Sequence, residues 1–139
     1  MSQIEMSAPL SVMDNGGRLV NFGWARSPLY IYDSSRSWGT SRRFIASDRY
    51  IIISPSHLVC LEIMDSGILG YAGISIVSLL EKKRSSHSYI TPFPMGGYGM
   101  PDASDSGAVR ISRKNVLIEF ISMDSGARIL KVEIGRAHV

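Results

Sequence analysis

An indole and a guanidinium two residues apart, Trp24 and Arg26, form the pair in this chain best equipped to hold a ligand. On an extended segment the two side chains project to one side. The ring can stack on a planar group there, and the guanidinium can hold an anion. A structural role competes with this one, in which Trp24 plugs one end of a β-barrel or sandwich and Arg26 lies over it with its charge in water. Tyr71, Phe93 and Tyr98 complete the ligand-binding candidates. Apolar strands around Tyr71 and Ile74 would line a cavity, and the loop from Pro92 to Pro101, which carries Phe93 and Tyr98, would guard its mouth.

Hydrolytic and metal chemistry find less to work with. Glu62, Asp65, Asp102 and Asp105 are the carboxylates that could pair, but their positions in turns read as solvated loop residues. His57 sits at a strand start beside Pro55 and His87 in a Ser-rich turn. Neither has a second His or Cys at ligand spacing, so no metal and no cofactor is expected. There is no Gly-x-Ser-x-Gly elbow and no phosphate loop. Gly96-Gly97-Tyr98-Gly99 lacks the spacing and the following helix of a nucleotide fingerprint, which leaves it a flexible loop. The catalytic residues of any enzyme on this chain are therefore unknown.

The elements that must position these groups are strands. No segment carries a capped helix with a 3.6-residue apolar stripe. The most apolar run, Ile68 to Leu80, holds two Gly and several β-branched residues, which favours a central strand covered on both faces. On it Ile74 and Ile76 point one way, and Tyr71, Val77 and Leu79 the other. Before it, short β-prone pieces at Phe44-Ile45, Tyr50 to Ile53 and Leu58 to Met64 are separated by Ser47-Asp48 and Ser54-Pro55-Ser56. After it come Ala108 to Ser112, a turn at Arg113-Lys114-Asn115, Val116 to Met123 with Val116, Ile118 and Phe120 on one face, and Ile129 to Val132. Leu10 and Val12 face Leu19 and Val20 across Asp14-Asn15-Gly16-Gly17 as a short hairpin. Pro28 makes the following aromatic stretch an edge strand or crossover, and Asp33 to Thr40, with Trp38, is loop. Met-Asp-Ser-Gly occurs at 64–67 and again at 123–126, with a partial copy at Asp105-Ser106-Gly107. Each predicts a hairpin turn closed by a left-handed glycine. The expected fold is all-β: an antiparallel meander forming a sandwich or a lipocalin-like barrel.

At 139 residues with 45% hydrophobic and 19% charged residues, the chain has the makings of a buried core and is not a disordered tail. The net charge of +3 is scattered, and its densest group, Lys82 to Arg84, reads as a solvated turn, so no nucleic-acid partner is expected. Ile68 to Leu80 is shorter than the roughly 20 residues of a bilayer crossing, so no membrane span is expected. The single Cys60 excludes a disulfide framework and reads as a small buried hydrophobe. With no signal peptide visible, it points to a reducing, cytoplasmic setting. The oligomeric state is not legible.

Leu10 with Asp14-Asn15-Gly16 and Leu19, then Gly23-Trp24-Ala25-Arg26 with Pro28-Leu29, Gly70-Tyr71-Ala72-Gly73, Thr91-Pro92-Phe93 and Met100-Pro101, together resemble a bacterial family catalogued as domain of unknown function 2804. The likeness covers most of residues 9 to 132. It implies a β-rich fold related to lipocalin-like proteins and, because members of that family are much longer, an amino-terminal fragment truncated at its carboxy-terminal end. The final Glu133-Ile134-Gly135-Arg136-Ala137-His138-Val139 resembles a translated sequencing adapter. Residues 1–132 are accordingly expected to be the amino-terminal part of a larger protein and 133–139 a non-native tail. Two functions follow: a protein that binds a hydrophobic small molecule, or an enzyme on a lipocalin-like scaffold whose chemistry lies partly beyond this chain.

Overall fold

A computed structural model describes residues 4–35, 45–113 and 115–135, and within them the chain forms nine strands. The short β1 (Leu10–Ser11) and β2 (Tyr30–Ile31) pair in parallel. β3 (Ala46–Ile53), β4 (His57–Asp65), β5 (Leu69–Ser78) and β6 (Lys83–Pro92) make an antiparallel four-stranded meander. β7 (Gly107–Arg113), β8 (Val116–Ser122) and β9 (Arg128–Ile134) make an antiparallel three-stranded one. The fold is all-β, as expected. No barrel closes among the described residues: the two meanders pack face to face as a sandwich.

The period of two in the sequence sets the core. On β7 and β8, Val109, Ile111, Val116, Ile118 and Phe120 alternate with polar or half-exposed residues, and all five are buried. They meet Leu61 and Ile63 of β4 and Ala72 of β5, with Tyr98 from the long loop completing the cluster. Phe120 also meets Tyr50 of β3 edge to face, with ring centroids 5.0 Å apart.

Several expectations are corrected. The apolar run at 68–80 is a strand with the expected parity, but it is not covered on both faces. Ala72 is its one side chain in the fully buried cluster, while Ile68, Leu79 and Leu80 at its ends are exposed. On the outward face of the same sheet Ile51, Ile53 and Ile90 are exposed as well. Ser47-Asp48 does not break a strand, because register carries β3 straight through it, with Asp48 opposite Ile63. His87 is not in a turn but in β6 opposite Ile74, since pairing with β5 extends this polar stretch as an edge strand. Cys60 lies half-buried on the outward face of β4. Leu10 pairs with Tyr30 and not across the first turn, although that turn forms. Met13 bridges Leu19, and Asp14 Oδ1 accepts from the Gly16 and Arg18 amides at 2.8 and 2.9 Å. The loop expected over Asp33 to Thr40 lies outside the described residues from position 36 on, as do Phe44, Lys114 and tail residues 136–139. Glu133 and Ile134 of that tail take register positions in β9 opposite Leu117 and Val116.

All three Asp-Ser-Gly glycines hold the left-handed backbone: φ is 77° at Gly67, 98° at Gly107 and 82° at Gly126. The first and last close hairpins. The middle copy instead ends the long loop and leads into β7, because no strand immediately precedes it to be turned back.

Candidate functional site

Two concavities gather the candidate residues. The first is built wholly from the amino-terminal segment. Backbone bonds pin its walls: Trp24 N–H donates to Ile4 O at 3.0 Å, Met6 N–H to Trp24 O at 2.9 Å, and Val12 N–H to Ile31 O at 3.0 Å. Between these cross-links lies an open groove of about 1010 Å³, lined by Ile4, Met6, Leu10, Val12, Leu19, Val20, Phe22, Trp24 and Tyr30. Among the described residues that lining carries no charged side chain, and its polar side chains, Asn21 and Tyr30, donate to Ser11 O and Gly23 O.

Trp24 and Arg26 lie together beside this groove, on one side of their segment as the spacing predicts. The Arg26 guanidinium carbon lies 5.5 Å from the centre of the Trp24 ring, and Arg26 Nε donates to Glu5 Oε1 at 2.7 Å. Glu5 answers the arginine's charge, so the pair presents a stacked, internally neutralised edge. Trp24 is 40% exposed and plugs no core, which sets aside its expected role as the end-stopper of a sandwich. Sequence reasoning missed Glu5. Its signal is the parallel bridge Glu5↔Trp24, which joins residues nineteen positions apart.

The second concavity is a crevice of about 450 Å³ between the end of β6, the long loop and β7. Phe93 and Tyr98 both line it, beside Arg110, Ser112 and Arg113, which the sequence reading left out. Tyr71 joins neither place. It lies on the outward face of β5, its ring over Gly73, whereas Ile74 faces the core, so the two cannot line one cavity.

Among the described residues the candidate carboxylates do not come together. Glu62 and Asp65 lie on opposite faces of β4. Glu62 is paired with Arg49, and Asp65 accepts from the amides of Gly67 and Gly96. Asp102 accepts from Ser34 N–H at 3.0 Å. Among the described residues no group of three or more His, Cys, Asp or Glu side chains is placed to hold a metal, and no helix is long and apolar enough to cross a membrane.

One carboxyl is electrostatically unusual. Burial between the sheets raises the pKa of Asp48, only partly offset by the Arg49 backbone amide and the charge of Arg128. A carboxyl whose folded pKa lies above its unfolded value of about 3.8 binds more protons in the folded state, so its contribution to stability is full at low pH and falls as pH rises through the folded pKa. Asp48→Asn is expected to abolish that part of the fall and to raise the melting temperature at neutral pH more than at pH 3.5. Melts across pH check it, and a larger gain at the acid end would contradict the sign.

No curated protein and no solved structure matches the chain. A family model does, that of a domain of unknown function (DUF2804), over residues 3–138.

Proposed function

This chain belongs to the DUF2804 family, and from that premise we propose that it binds an uncharged, apolar small molecule in its amino-terminal groove. Membership assigns no activity, so the reading rests on one observation. The groove's apolar walls are held apart by backbone hydrogen bonds and are not filled by their own side chains. A concavity of this size, apolar with a polar marker at one edge, has the character of a ligand site. The Trp24–Arg26–Glu5 edge would cover a ring or an alkyl chain without demanding a countercharge. This mode differs from that of a lipocalin-like barrel, in which strands enclose the ligand, because here the groove lies outside the core shared by the two sheets. The single thiol, Cys60, is in keeping with a reducing cytoplasmic setting.

Titration with the neutral probe N-phenyl-1-naphthylamine tests the reading. Saturable binding with energy transfer from Trp24 is expected, weakened roughly fivefold or more by Phe22→Ser or Leu19→Ser, each of which removes an apolar side chain from the contact. Because both side chains are largely exposed, neither change disturbs the core. Non-saturable binding, or affinity unmoved by both substitutions, would discard the groove as a small-molecule site and favour its seating another polypeptide.

A further inference from the structure

We propose that the crevice between the end of β6, the long loop and the open edge of β7 is a second, separate site, for a small aromatic anion of the carboxylate class.

The charge of the lining carries the first step. Arg110 and Arg113 line the crevice and, among the described residues, no carboxylate does. Arg110 Nε reaches Glu119 Oε1 only at 3.8 Å, and Arg113 Nη1 makes a long contact with Ser112 O, at 3.4 Å. Guanidinium donors are therefore left for an incoming anion, and the planar fork of a guanidinium matches a carboxylate.

The strand edge carries the second. Arg110 N–H donates to Tyr98 O at 3.1 Å, which fixes the side of β7 that faces the loop. In an antiparallel ladder the outward N–H groups recur at every second residue, so Ser112 N–H points to the same side. It lines the crevice, and among the described residues no loop carbonyl accepts from it. A backbone donor beside two guanidiniums is a site for an oxyanion, not for a neutral alkyl group.

The aromatic half of the ligand follows from the opposite wall. Phe93 is 69% exposed and is held with φ 50°, a left-handed backbone that a bulky residue adopts only under strain. Tyr98, 6% exposed, has the described buried side-chain oxygen without a hydrogen-bond partner. That oxygen rests against Gly70, whose register partner is Thr91 of the crevice wall. That oxygen is itself shut off from solvent, so what Tyr98 offers the crevice is the side of its ring. The volume of about 450 Å³ admits a ring with its acid group.

Sodium benzoate and its uncharged counterpart benzyl alcohol are the probes, titrated into the ¹⁵N-labelled full chain. Benzoate is expected to move the Ser112 amide resonance saturably, and benzyl alcohol to move it far less. Arg113→Gln is expected to weaken benzoate about tenfold while leaving N-phenyl-1-naphthylamine in the amino-terminal groove unaffected. Phe93→Ala is expected to weaken benzoate several-fold. Both side chains are exposed, so neither substitution empties the core. Benzoate and benzyl alcohol binding alike, an unmoved Ser112 amide, or a benzoate affinity unchanged by Arg113→Gln would each overturn the proposal. Loss of the neutral probe alone would count only against the groove.

Discussion

Truncation of Phe120 to alanine is expected to lower the unfolding free energy by about 3–5 kcal/mol, the largest single-residue effect in this chain. Phe120 is 2% exposed and lies in the middle of β8, the central strand of the three-stranded sheet. Its ring bridges the two sheets by meeting Tyr50 of β3 edge to face. Alanine would lose the transfer free energy of the ring and that aromatic contact, and would leave a void between two sheets that cannot close independently of their ladders. Domains of this size have about 5–15 kcal/mol in total, so the variant would be close to unfolding. Urea denaturation followed by circular dichroism checks it. Phe120→Leu, which refills most of the volume, is expected to recover more than half of the loss. A loss below about 1 kcal/mol for the alanine variant would mean that the sheets do not share this core.

The second large effect is expected at Asp65. Replacing it by alanine should cost roughly 2–4 kcal/mol, whereas the same change at Asp124 should cost less than about 0.5 kcal/mol. The two aspartates sit in identical tetrapeptides, Met-Asp-Ser-Gly. Asp65 is 1% exposed and ends β4 on the inward face. Its Oδ1 accepts from Gly67 N–H at 2.6 Å, and its Oδ2 from Gly96 N–H at 2.8 Å, thirty-one residues away. It thus ties the β4–β5 turn to the loop that carries Phe93 and Tyr98. Alanine leaves two amides without their acceptor, and a buried donor so stranded loses its full hydration. Asp124 is exposed, and its turn is closed by backbone bonds, Gly126 N–H to Met123 O at 2.8 Å and Met123 N–H to Ala127 O at 3.0 Å. Hydrogen exchange gives the second reading. Asp65→Ala is expected to expose the Gly96 amide while the β8 amides stay protected. Equal costs at the two positions would show that the turn, and not the tertiary bond, is what aspartate serves.

Much of the local structure was legible because strands and turns are set by near neighbours. Alternation at Val109 to Ile111 and Val116 to Phe120 was enough to name the face that became the core, since successive side chains on a strand must point to opposite sides. The turn glycines were legible for the same reason: left-handed backbone is a property of one residue. That Trp24 and Arg26 would lie on one side was legible through their spacing on extended chain. What failed was what depends on partners. Lys83 to Pro92 has no apolar pattern of its own, and becomes β6 only because β5 offers it a ladder. Apolarity marked Ile68 to Leu80 as the centre of the fold, yet hydrophobicity does not say which sheet packs against which, and the packed residues came mainly from β4, β7 and β8.

The amino-acid sequence by itself therefore determined the strand class, the faces that β7 and β8 would bury, the left-handed turn glycines and the shared side of Trp24 and Arg26, because each follows from dihedral preference and side-chain parity within a few residues. Tertiary structure alone decided that one Met-Asp-Ser-Gly aspartate is buried and the other is not, that Arg113 and Ser112 stand across a crevice from Phe93, and that Glu5 neutralises Arg26. Those outcomes depend on contacts between residues far apart in the chain, and a local pattern carries no information about which distant group will arrive to accept a hydrogen bond or cancel a charge.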